Sequence, residues 1–289
     1  MSTDGHIRDR KPPWLKVRGF GTGRFNAVNA LLQTYGLNTV CQAANCPNRG
    51  ECFSRGTATF LIMGPTCTRN CRFCDVRSGR PAPVDPEEPE RVAQAAARLR
   101  LRYVVITSVT RDDLSDGGAG QFAATVEAVR RVLPDSRIEI LTPDFKDAAD
   151  ALGIVMAARP TVFNHNVETV PRLYSDVRPG ADYLRSLRLL RDAREKYGAN
   201  TKSGLMVGLG ETTSELENVF ANLVEHGVTM LTIGQYLAPS REHLPVERYV
   251  PPDEFDSLAD LARSAGINNV FSAPLVRSSY LADRLASGL

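Results

Sequence analysis

The chain has 289 residues, 43% of them hydrophobic and 24% charged, and its formal net charge is +2. This length allows one large α/β domain or two smaller ones to bury a full core. A charge so close to zero excludes a strongly basic nucleic-acid surface and gives no acidic tail. Because the sequence contains no run of eighteen apolar residues, it predicts no membrane span, and we expect a cytoplasmic location.

Short apolar strands alternate with amphipathic helices along most of the chain. The predicted helices cover residues 24–36, 86–102, 118–133, 144–159, 181–198, 212–227 and 251–266. The predicted strands cover residues 57–64, 103–109, 136–143, 160–169, 201–211, 228–237 and 268–274. Such alternation forms βαβ units and a parallel sheet. About six units fit, fewer than the eight of a closed barrel, so we predict an α/β fold, a partial open (β/α)6 TIM-like barrel with N-terminal and C-terminal extensions.

All six cysteines of the chain lie between residues 41 and 74, in two groups of three. The first triad is Cys41, Cys46 and Cys52, and the second triad is Cys67, Cys71 and Cys74. Secreted disulfide scaffolds are usually short chains with cysteines spread along them, whereas here the whole chain after Cys74 contains none. The clustering therefore predicts metal ligation in preference to disulfides.

The second triad has the spacing C-x3-C-x2-C, written CTRNCRFC. Three thiolates on one tight loop can hold three irons of a [4Fe–4S] cluster and leave the fourth iron open for another ligand. The alternatives are zinc and inert thiols. A zinc site would need a fourth cysteine or histidine nearby, and none of the four histidines is close in sequence: His6, His165, His226 and His243.

With Phe73 before its last cysteine, this spacing resembles the signature of radical S-adenosylmethionine (SAM) enzymes. The resemblance implies that SAM binds the open iron and is cleaved by reduction to a 5′-deoxyadenosyl radical. The stretch NHNVET resembles the segment that contacts the SAM ribose in such enzymes, which implies Asn166 and Glu168 as cofactor-binding residues. The alternative for NHNVET is a polar strand end. The glycines of MVGLGE at 206–211 allow either close approach of a ligand or a simple turn.

The first triad, C-x4-C-x5-C, is by its spacing either a zinc knuckle or a small structural cluster. Together with its neighbours, NTVCQAANCPNRGEC closely resembles the lipoyl synthase family, and the resemblance extends from about residue 11 to the C-terminus. It implies that Cys41, Cys46 and Cys52 hold an auxiliary [4Fe–4S] cluster. Ser279, in the RSSY motif at 277–280, would be its fourth ligand, with Arg277 as a nearby partner. Without the resemblance, SSY is typical of a cap on the last helix.

The resemblance implies a reaction on an unactivated alkyl chain. Two sulfur atoms would be inserted at C6 and C8 of a protein-bound octanoyl-lysine, with the auxiliary cluster as sulfur donor, to complete the lipoyl cofactor. The catalytic residues would be Cys67, Cys71, Cys74 and Ser279. The implied domains are an N-terminal extension (1–55) with the auxiliary-cluster cysteines, a radical SAM partial barrel (56–270) and a C-terminal extension (271–289) with the RSSY motif.

The same resemblance implies the partners of a monomeric protein. The substrate carrier would be the glycine cleavage H protein or a lipoyl domain of a 2-oxo acid dehydrogenase, and the basic residues Lys11, Lys16 and Arg18 could meet its acidic surface. A reducing donor such as ferredoxin or flavodoxin would supply electrons, and an iron–sulfur carrier would repair the cluster. Neither nucleic acid nor membrane is an expected partner.

Two other functions are open at this point. One is a radical methylthiotransferase that acts on tRNA or a ribosomal protein, although its auxiliary cysteines would lie in a separate domain at wider spacing. The other is a non-catalytic iron–sulfur carrier or a zinc-stabilised interaction protein, which would explain the cysteines but not the barrel.

Overall fold

The computed structural model of the chain describes residues 11–17 and 23–287, so Arg18 lies outside the described residues. The strands are β1 (Asn38–Thr39), β2 (Thr59–Ile62), β3 (Thr66–Cys67), β4 (Arg77–Ser78), β5 (Tyr103–Ser108), β6 (Arg137–Leu141), β7 (Val162–Asn164), β8 (Thr201–Val207), β9 (Met230–Gln235) and β10 (Asn269–Ser272). The α-helices are α1 (Gly23–Thr34), α2 (Val40–Ala43), α3 (Arg49–Ser54), α4 (Glu88–Arg98), α5 (Ala119–Val132), α6 (Ala151–Ala157), α7 (Tyr174–Val177), α8 (Tyr183–Tyr197), α9 (Thr213–Glu225), α10 (Pro252–Ala265) and α11 (Ala282–Leu285).

Eight strands form one sheet, in the order β1-β2-β5-β6-β7-β8-β9-β10. From β2 onward these strands run parallel, while β1 pairs antiparallel with β2 at one edge. Within the described residues β1 and β10 do not pair, so the sheet is open. Each of the first six parallel strands is followed by a helix. The predicted partial open (β/α)6 barrel is therefore confirmed.

The last strand extends the barrel beyond residue 270. β10 pairs with β9 from Asn269 to Ser272, so the sheet includes two residues of the predicted C-terminal extension. The antiparallel β1 likewise lies within the predicted N-terminal extension. The division at 55 and 270 stays a prediction, and residues outside both boundaries pair with strands of the sheet.

One helix is shorter than the sequence predicts. The pattern indicates a helix at 144–159, but α6 begins only at Ala151. Phe145, Lys146 and Asp150 have φ angles of 51°, 51° and 58°, in the left-handed region that interrupts an α-helix. The preceding Asp144 instead directs its carboxylate to Arg69, at 2.6 Å. A tertiary ion pair thus replaces the first turns of the predicted helix.

The core lies between the sheet and the helices. Phe60, Ile106 and Ile140 are fully buried in the strands, and burial of each contributes about 1.5–3 kcal/mol. Helix α8 buries Leu187 and Leu190 and leaves its charged face to solvent. No described helix is both long and apolar enough to cross a membrane.

The chain after β10 returns across the barrel. Helix α11 packs against β5 and β10, its neighbour Ala286 packs against Val162, and Nη1 of Arg137 donates to the carbonyl oxygen of Ala286 at 2.9 Å. The helix begins after Leu281, which has a φ of 50° and provides no side-chain cap. The alternative in which the serines of SSY cap the last helix is therefore wrong.

Candidate active site

A cavity of about 620 Å³ opens at the carboxyl ends of the parallel strands. The chain segments that follow β5, β6, β7 and β9 all contribute to its wall, as in other barrels of this type. The wall also includes the nine residues that the sequence predicts to bind clusters or SAM, which are Cys41, Cys46, Cys52, Cys67, Cys71, Cys74, Asn166, Glu168 and Ser279. The fold brings all nine to one cavity, and their individual roles stay predictions.

The thiols of the second triad lie partly buried in this wall. Backbone N–H groups of Arg69 and Thr110 donate to Sγ of Cys67 at 3.4 and 3.3 Å. Burial is the main cause that raises the pKa of Cys71 and that of Cys74, the latter to about 12. The thiol of Cys67 adds to the raised pKa of Cys71, and the thiols of Cys67 and Cys71 add to that of Cys74, which indicates that the three are neighbours. A cation that replaces their protons would relieve this repulsion.

An ion-pair network fixes the loop that carries these cysteines. Arg69 donates two hydrogen bonds to the carboxylate of Asp112, at 2.7 and 2.8 Å, and a third to Asp144 at 2.6 Å. Asp144 is fully buried and also accepts from Arg185 at 3.2 Å. The guanidinium lowers the pKa of Asp144 well below its usual range despite burial. Sequence reasoning missed this network because 43 and 75 residues separate the paired groups.

The thiols of the first triad are brought together by two short helices. Cys41 lies on α2, Cys52 lies on α3, and Cys46 lies between the helices. Burial raises the pKa of Cys41 to about 11 and that of Cys52 to about 12. The thiol of Cys46 adds to the first shift, and those of Cys41 and Cys46 add to the second. The hydroxyl of Thr39 accepts from the backbone N–H of Gln42 and so caps α2.

Hydrogen bonds join the first triad to the RSSY motif. The side-chain amide of Asn48 donates to the carbonyl oxygen of Leu275 at 2.6 Å. The hydroxyl of Tyr280 donates to the carboxylate of Glu51, with both oxygens within 3.1 Å. Ser279 lies between Leu275 and Tyr280 in the same segment and lines the cavity. The RSSY motif could be found from its sequence resemblance, whereas nothing in the local sequence identifies Asn48 as its anchor.

The NHNVET segment begins at Asn164, the last residue of β7, and enters the cavity wall. Nδ2 of Asn166 donates to Oε1 of Glu168 at 2.9 Å and to Oγ of Ser278 at 2.5 Å, while its buried Oδ1 has no partner. Burial raises the pKa of Glu168, and the nearby guanidinium of Arg178 partly offsets this rise. The polar-strand-end alternative does not account for the unpartnered oxygen of Asn166.

Arg178 also shapes this wall, although no sequence signal marks it. Its Nη1 donates to the carbonyl oxygens of Asn166 and Val167 at 2.9 and 3.2 Å, and to the hydroxyl of Tyr174 at 3.1 Å. Its buried Nε has no hydrogen-bond partner. The positive charge also lowers the pKa of Cys71, against the effect of burial. The arginine therefore fixes the NHNVET backbone and places a positive charge near the second triad.

The GLGE stretch is a turn packed against the protein itself. Gly208 has a φ of 96°, and a Cβ there would collide with the amide of Gln235 and the carbonyl oxygen of Arg248. The carboxylate of Glu211 accepts from the N–H groups of Gly208 and Leu209 at 2.6 and 2.9 Å. The structure thus favours the turn alternative over close approach of a ligand at this glycine.

Neither triad resembles a site for a single ion. Among the described residues, no three His, Cys, Asp or Glu side chains are arranged to hold one metal ion. A [4Fe–4S] cluster does not need that arrangement, because each thiolate binds a different iron. The finding therefore bears on single metal ions alone.

Comparisons with known proteins identify the family. The sequence model of the Radical SAM superfamily matches residues 61–223. The lipoyl synthase of Methylococcus capsulatus (strain Bath) is 59% identical to this chain over 280 residues, which cover 96% of this chain and 87% of that protein. The chain belongs to the lipoyl synthase family. The lipoyl synthase of Nitratidesulfovibrio vulgaris (strain Hildenborough) is 56% identical over 280 residues, 97% of this chain and 94% of that protein.

A member of the lipoyl synthase family with a radical SAM domain is a radical SAM enzyme, for which a [4Fe–4S] cluster and SAM are the expected cofactors. The alternatives of a non-catalytic carrier and of a methylthiotransferase are therefore wrong. The fold agrees with SuiB from Streptococcus suis, in a structure with SAM bound, at a TM-score of 0.57 and 12% identity. That match covers 78% of this chain but only 54% of SuiB, so it bears on the fold alone.

Proposed function

We propose that this lipoyl synthase family chain inserts two sulfur atoms, at C6 and C8, into an octanoyl group that is amide-linked to a lysine of a carrier protein. One observation supports this most: both cysteine triads, Ser279 and the NHNVET residues line the same cavity of about 620 Å³. A reaction in which one centre activates the carbon and another donates sulfur requires both centres to reach one substrate.

The second triad would hold the [4Fe–4S] cluster that binds SAM. The donor set fits, because the three partly buried thiols line the same cavity and can bind three irons, which leaves one for SAM. When bound, this cluster and SAM supply hydrogen-atom abstraction from unactivated carbon. The N–H groups of Arg69 and Thr110 stabilise the thiolate of Cys67, and the pairing of Arg69 with Asp112 keeps the loop rigid.

Asn166 and Glu168 would orient the ribose of SAM. The buried Oδ1 of Asn166 has no partner in the protein, so it is available to accept a hydrogen bond from a ribose hydroxyl. The carboxylate of Glu168 can accept from the neighbouring hydroxyl. Arg178 would keep both side chains in place, because it binds the backbone at Asn166 and Val167.

The first triad and Ser279 would hold the auxiliary [4Fe–4S] cluster, whose contribution is the sulfur. A serine oxygen is a weaker ligand for iron than a thiolate, so Ser279 would hold its iron less firmly than a fourth cysteine would. The hydrogen bonds of Asn48 and Tyr280 support this role, because they hold the segment of Ser279 beside α3. Arg277 also lines the cavity and would meet a sulfide or carboxylate there.

The octanoyl chain would lie along the apolar part of the cavity wall, which includes Leu61, Val109, Leu141, Leu205 and Met206. The carrier, either the glycine cleavage H protein or a lipoyl domain of a 2-oxo acid dehydrogenase, would dock at the rim. Lys11 lies at this rim and Lys16 is exposed nearby in sequence, and both could meet an acidic surface. A ferredoxin or flavodoxin would supply electrons, and an iron–sulfur carrier would repair the cluster. The protein would be monomeric and cytoplasmic, with residues 1–55 and 271–289 as extensions of the barrel.

An anaerobic assay tests the proposal. The reconstituted protein, with SAM, dithionite and an octanoyl-lysine peptide, should yield 5′-deoxyadenosine and a peptide that has gained two sulfur atoms. Consumption of the auxiliary cluster should limit product to about one equivalent per chain. Formation of 5′-deoxyadenosine without sulfur insertion would show radical SAM chemistry on a substrate other than the octanoyl-lysine. If protein shown to carry both clusters forms neither product, the proposed reaction is refuted.

A further inference from the structure

Two charged side chains lie fully buried inside the barrel, Glu139 of β6 and Lys202 of β8. Nζ of Lys202 donates to both carboxylate oxygens of Glu139, at 2.8 and 3.1 Å. The hydroxyl of Tyr103 on β5 and the amide of Asn164 on β7 donate to the same carboxylate, at 2.7 and 2.9 Å. Four neighbouring strands therefore each provide a polar side chain in a region that barrels usually fill with apolar layers.

Stability alone does not account for this pair. The cost of removing two charges from water offsets most of their attraction, so a buried ion pair often contributes little net free energy of folding. An ammonium group has three donors, and Lys202 directs one of them away from Glu139. That third hydrogen bond goes to the carbonyl oxygen of Ser278, at 2.6 Å and 76 residues along the chain.

Ser278 is thus held at two points. Lys202 binds its carbonyl oxygen, and Nδ2 of Asn166 donates to its hydroxyl oxygen at 2.5 Å. The bare backbone of Gly204 leaves room for this approach, because a Cβ there would lie 3.0 Å from Oγ of Ser278 and 2.6 Å from Oγ1 of Thr232. The next residue is Ser279, which lines the cavity together with the first triad.

We propose that Lys202 is a positioning residue that fixes the backbone of Ser278 and so directs Ser279 to the auxiliary cluster, with Glu139 orienting the ammonium. The inference rests on the proposed function, in which Ser279 is an iron ligand. Serine is a weak ligand for iron, so its binding depends strongly on how well the protein holds it in place. The fourth cysteine of an ordinary cluster site would need less support.

The test uses the full-length chain with Cys67, Cys71 and Cys74 replaced by alanine, so that only the auxiliary cluster is observed. Into this parent we would introduce Lys202→Met together with Glu139→Gln, which removes both charges and leaves neither unpaired. Loss of iron to a chelator and the electron paramagnetic resonance spectrum of the reduced cluster are measured. We expect iron loss to be about tenfold faster, equivalent to about 1.4 kcal/mol, with the same altered spectrum as Ser279→Ala.

Two further variants separate positioning from general damage. Tyr103→Phe removes one hydrogen bond to Glu139 but keeps the contact between Lys202 and Ser278, so its iron loss and spectrum should match the parent. Ser279→Cys supplies a stronger ligand, so it should restore slow iron loss in the double variant. If Lys202→Met with Glu139→Gln does not fold, Lys202→Gln with Glu139→Gln tests the same contact, since the shorter glutamine does not reach Ser278.

The results distinguish this inference from the proposed function. If Ser279→Ala loses iron quickly but the double variant behaves like the parent, Lys202 is not a positioning residue, and the ligand assignment stands. If Ser279→Ala itself behaves like the parent, Ser279 is not a ligand, and both ideas fail. If the double variant still loses iron quickly after Ser279→Cys is added, the positioning role is also overturned.

Discussion

The side-chain amide of Asn48 donates a hydrogen bond to the carbonyl oxygen of Leu275, at 2.6 Å and across 227 residues of sequence. Asn48 is almost fully buried and lies between Cys46 and Cys52 of the first triad. Leu275 lies shortly before the RSSY motif. The contact therefore joins the segment that carries the first triad to the segment that leads into RSSY. It gives the first triad a direct structural link to the C-terminal segment.

Replacement of Asn48 should loosen this link. Asn48→Ala leaves the carbonyl oxygen of Leu275 without its donor, and we expect a loss of about 1–3 kcal/mol in stability. Iron should also leave the auxiliary cluster faster, as chelator challenge would measure. Asn29→Ala is the matched control, because its amide bonds within α1 and to Gln42 rather than to the C-terminal segment. Equal iron loss in the two variants would contradict the link.

The two triads should fail in different ways. Cys71→Ala should abolish formation of 5′-deoxyadenosine, because the SAM-binding cluster loses one of its three thiolates. Cys46→Ala should retain deoxyadenosine formation with dithionite but give no sulfur insertion. Chromatography of the nucleoside and mass spectrometry of the octanoyl peptide measure both outcomes in one reaction. Loss of deoxyadenosine in both variants would argue against separate roles.

The carboxylate of Glu168 should contribute to SAM affinity. Glu168→Gln removes a charged acceptor, and loss of one such hydrogen bond should weaken SAM binding about tenfold, measured by equilibrium dialysis. Glu51→Gln makes the same change beside the first triad, next to Tyr280, and should leave SAM affinity unaltered. An unchanged affinity in Glu168→Gln would remove this residue from the SAM site.

A methyl group on Gly234 should displace the RSSY segment. A Cβ at this position would collide with the carbonyl oxygen of Val276, which is backbone and can move only with its segment. Gly234→Ala should therefore reduce auxiliary iron while the SAM-binding cluster remains, as iron and sulfide analysis with Mössbauer spectra would reveal. Gly23→Ala has no atom within 4 Å of its new Cβ and serves as the control. Full retention of both clusters would contradict this packing argument.

His165 should make stability depend on pH in the mildly acidic range. Complete burial lowers the pKa of His165 from 6.5 to about 4, with Nδ1 2.8 Å from the carbonyl oxygen of Thr142. Between these values the unfolded chain binds a proton that the folded chain does not, so the free energy of unfolding falls as pH decreases from 6.5 toward 4.

Denaturant titrations at several pH values measure this dependence. His165→Gln should be less stable than the unsubstituted protein at neutral pH, because it loses part of the packing and hydrogen bonding to Ser186. Its stability should nevertheless fall less steeply below pH 6.5. Identical slopes would show that another group controls the acid response.

Local features of the sequence were sufficient for much of this structure. The alternation of apolar strands with amphipathic helices reflects the periods of single elements, so the open parallel barrel could be predicted, including its incomplete number of units. The spacing of Cys67, Cys71 and Cys74 is likewise local, because one short loop carries all three thiols. The helix predicted at 144–159 was too long, since the ion pair of Asp144 with Arg69 draws on a distant part of the chain.

The features that depended on the tertiary structure are contacts between segments far apart in sequence. Nothing local pairs Asn48 with Leu275, or Lys202 with Ser278, because each contact depends on where the folded C-terminal segment crosses the barrel. Those crossings in turn require Gly204 and Gly234, whose missing side chains have meaning only against a neighbouring backbone. The cysteines show which atoms can bind iron, but the fold determines that both triads and Ser279 share one cavity, because that proximity arises from packing across the whole sheet.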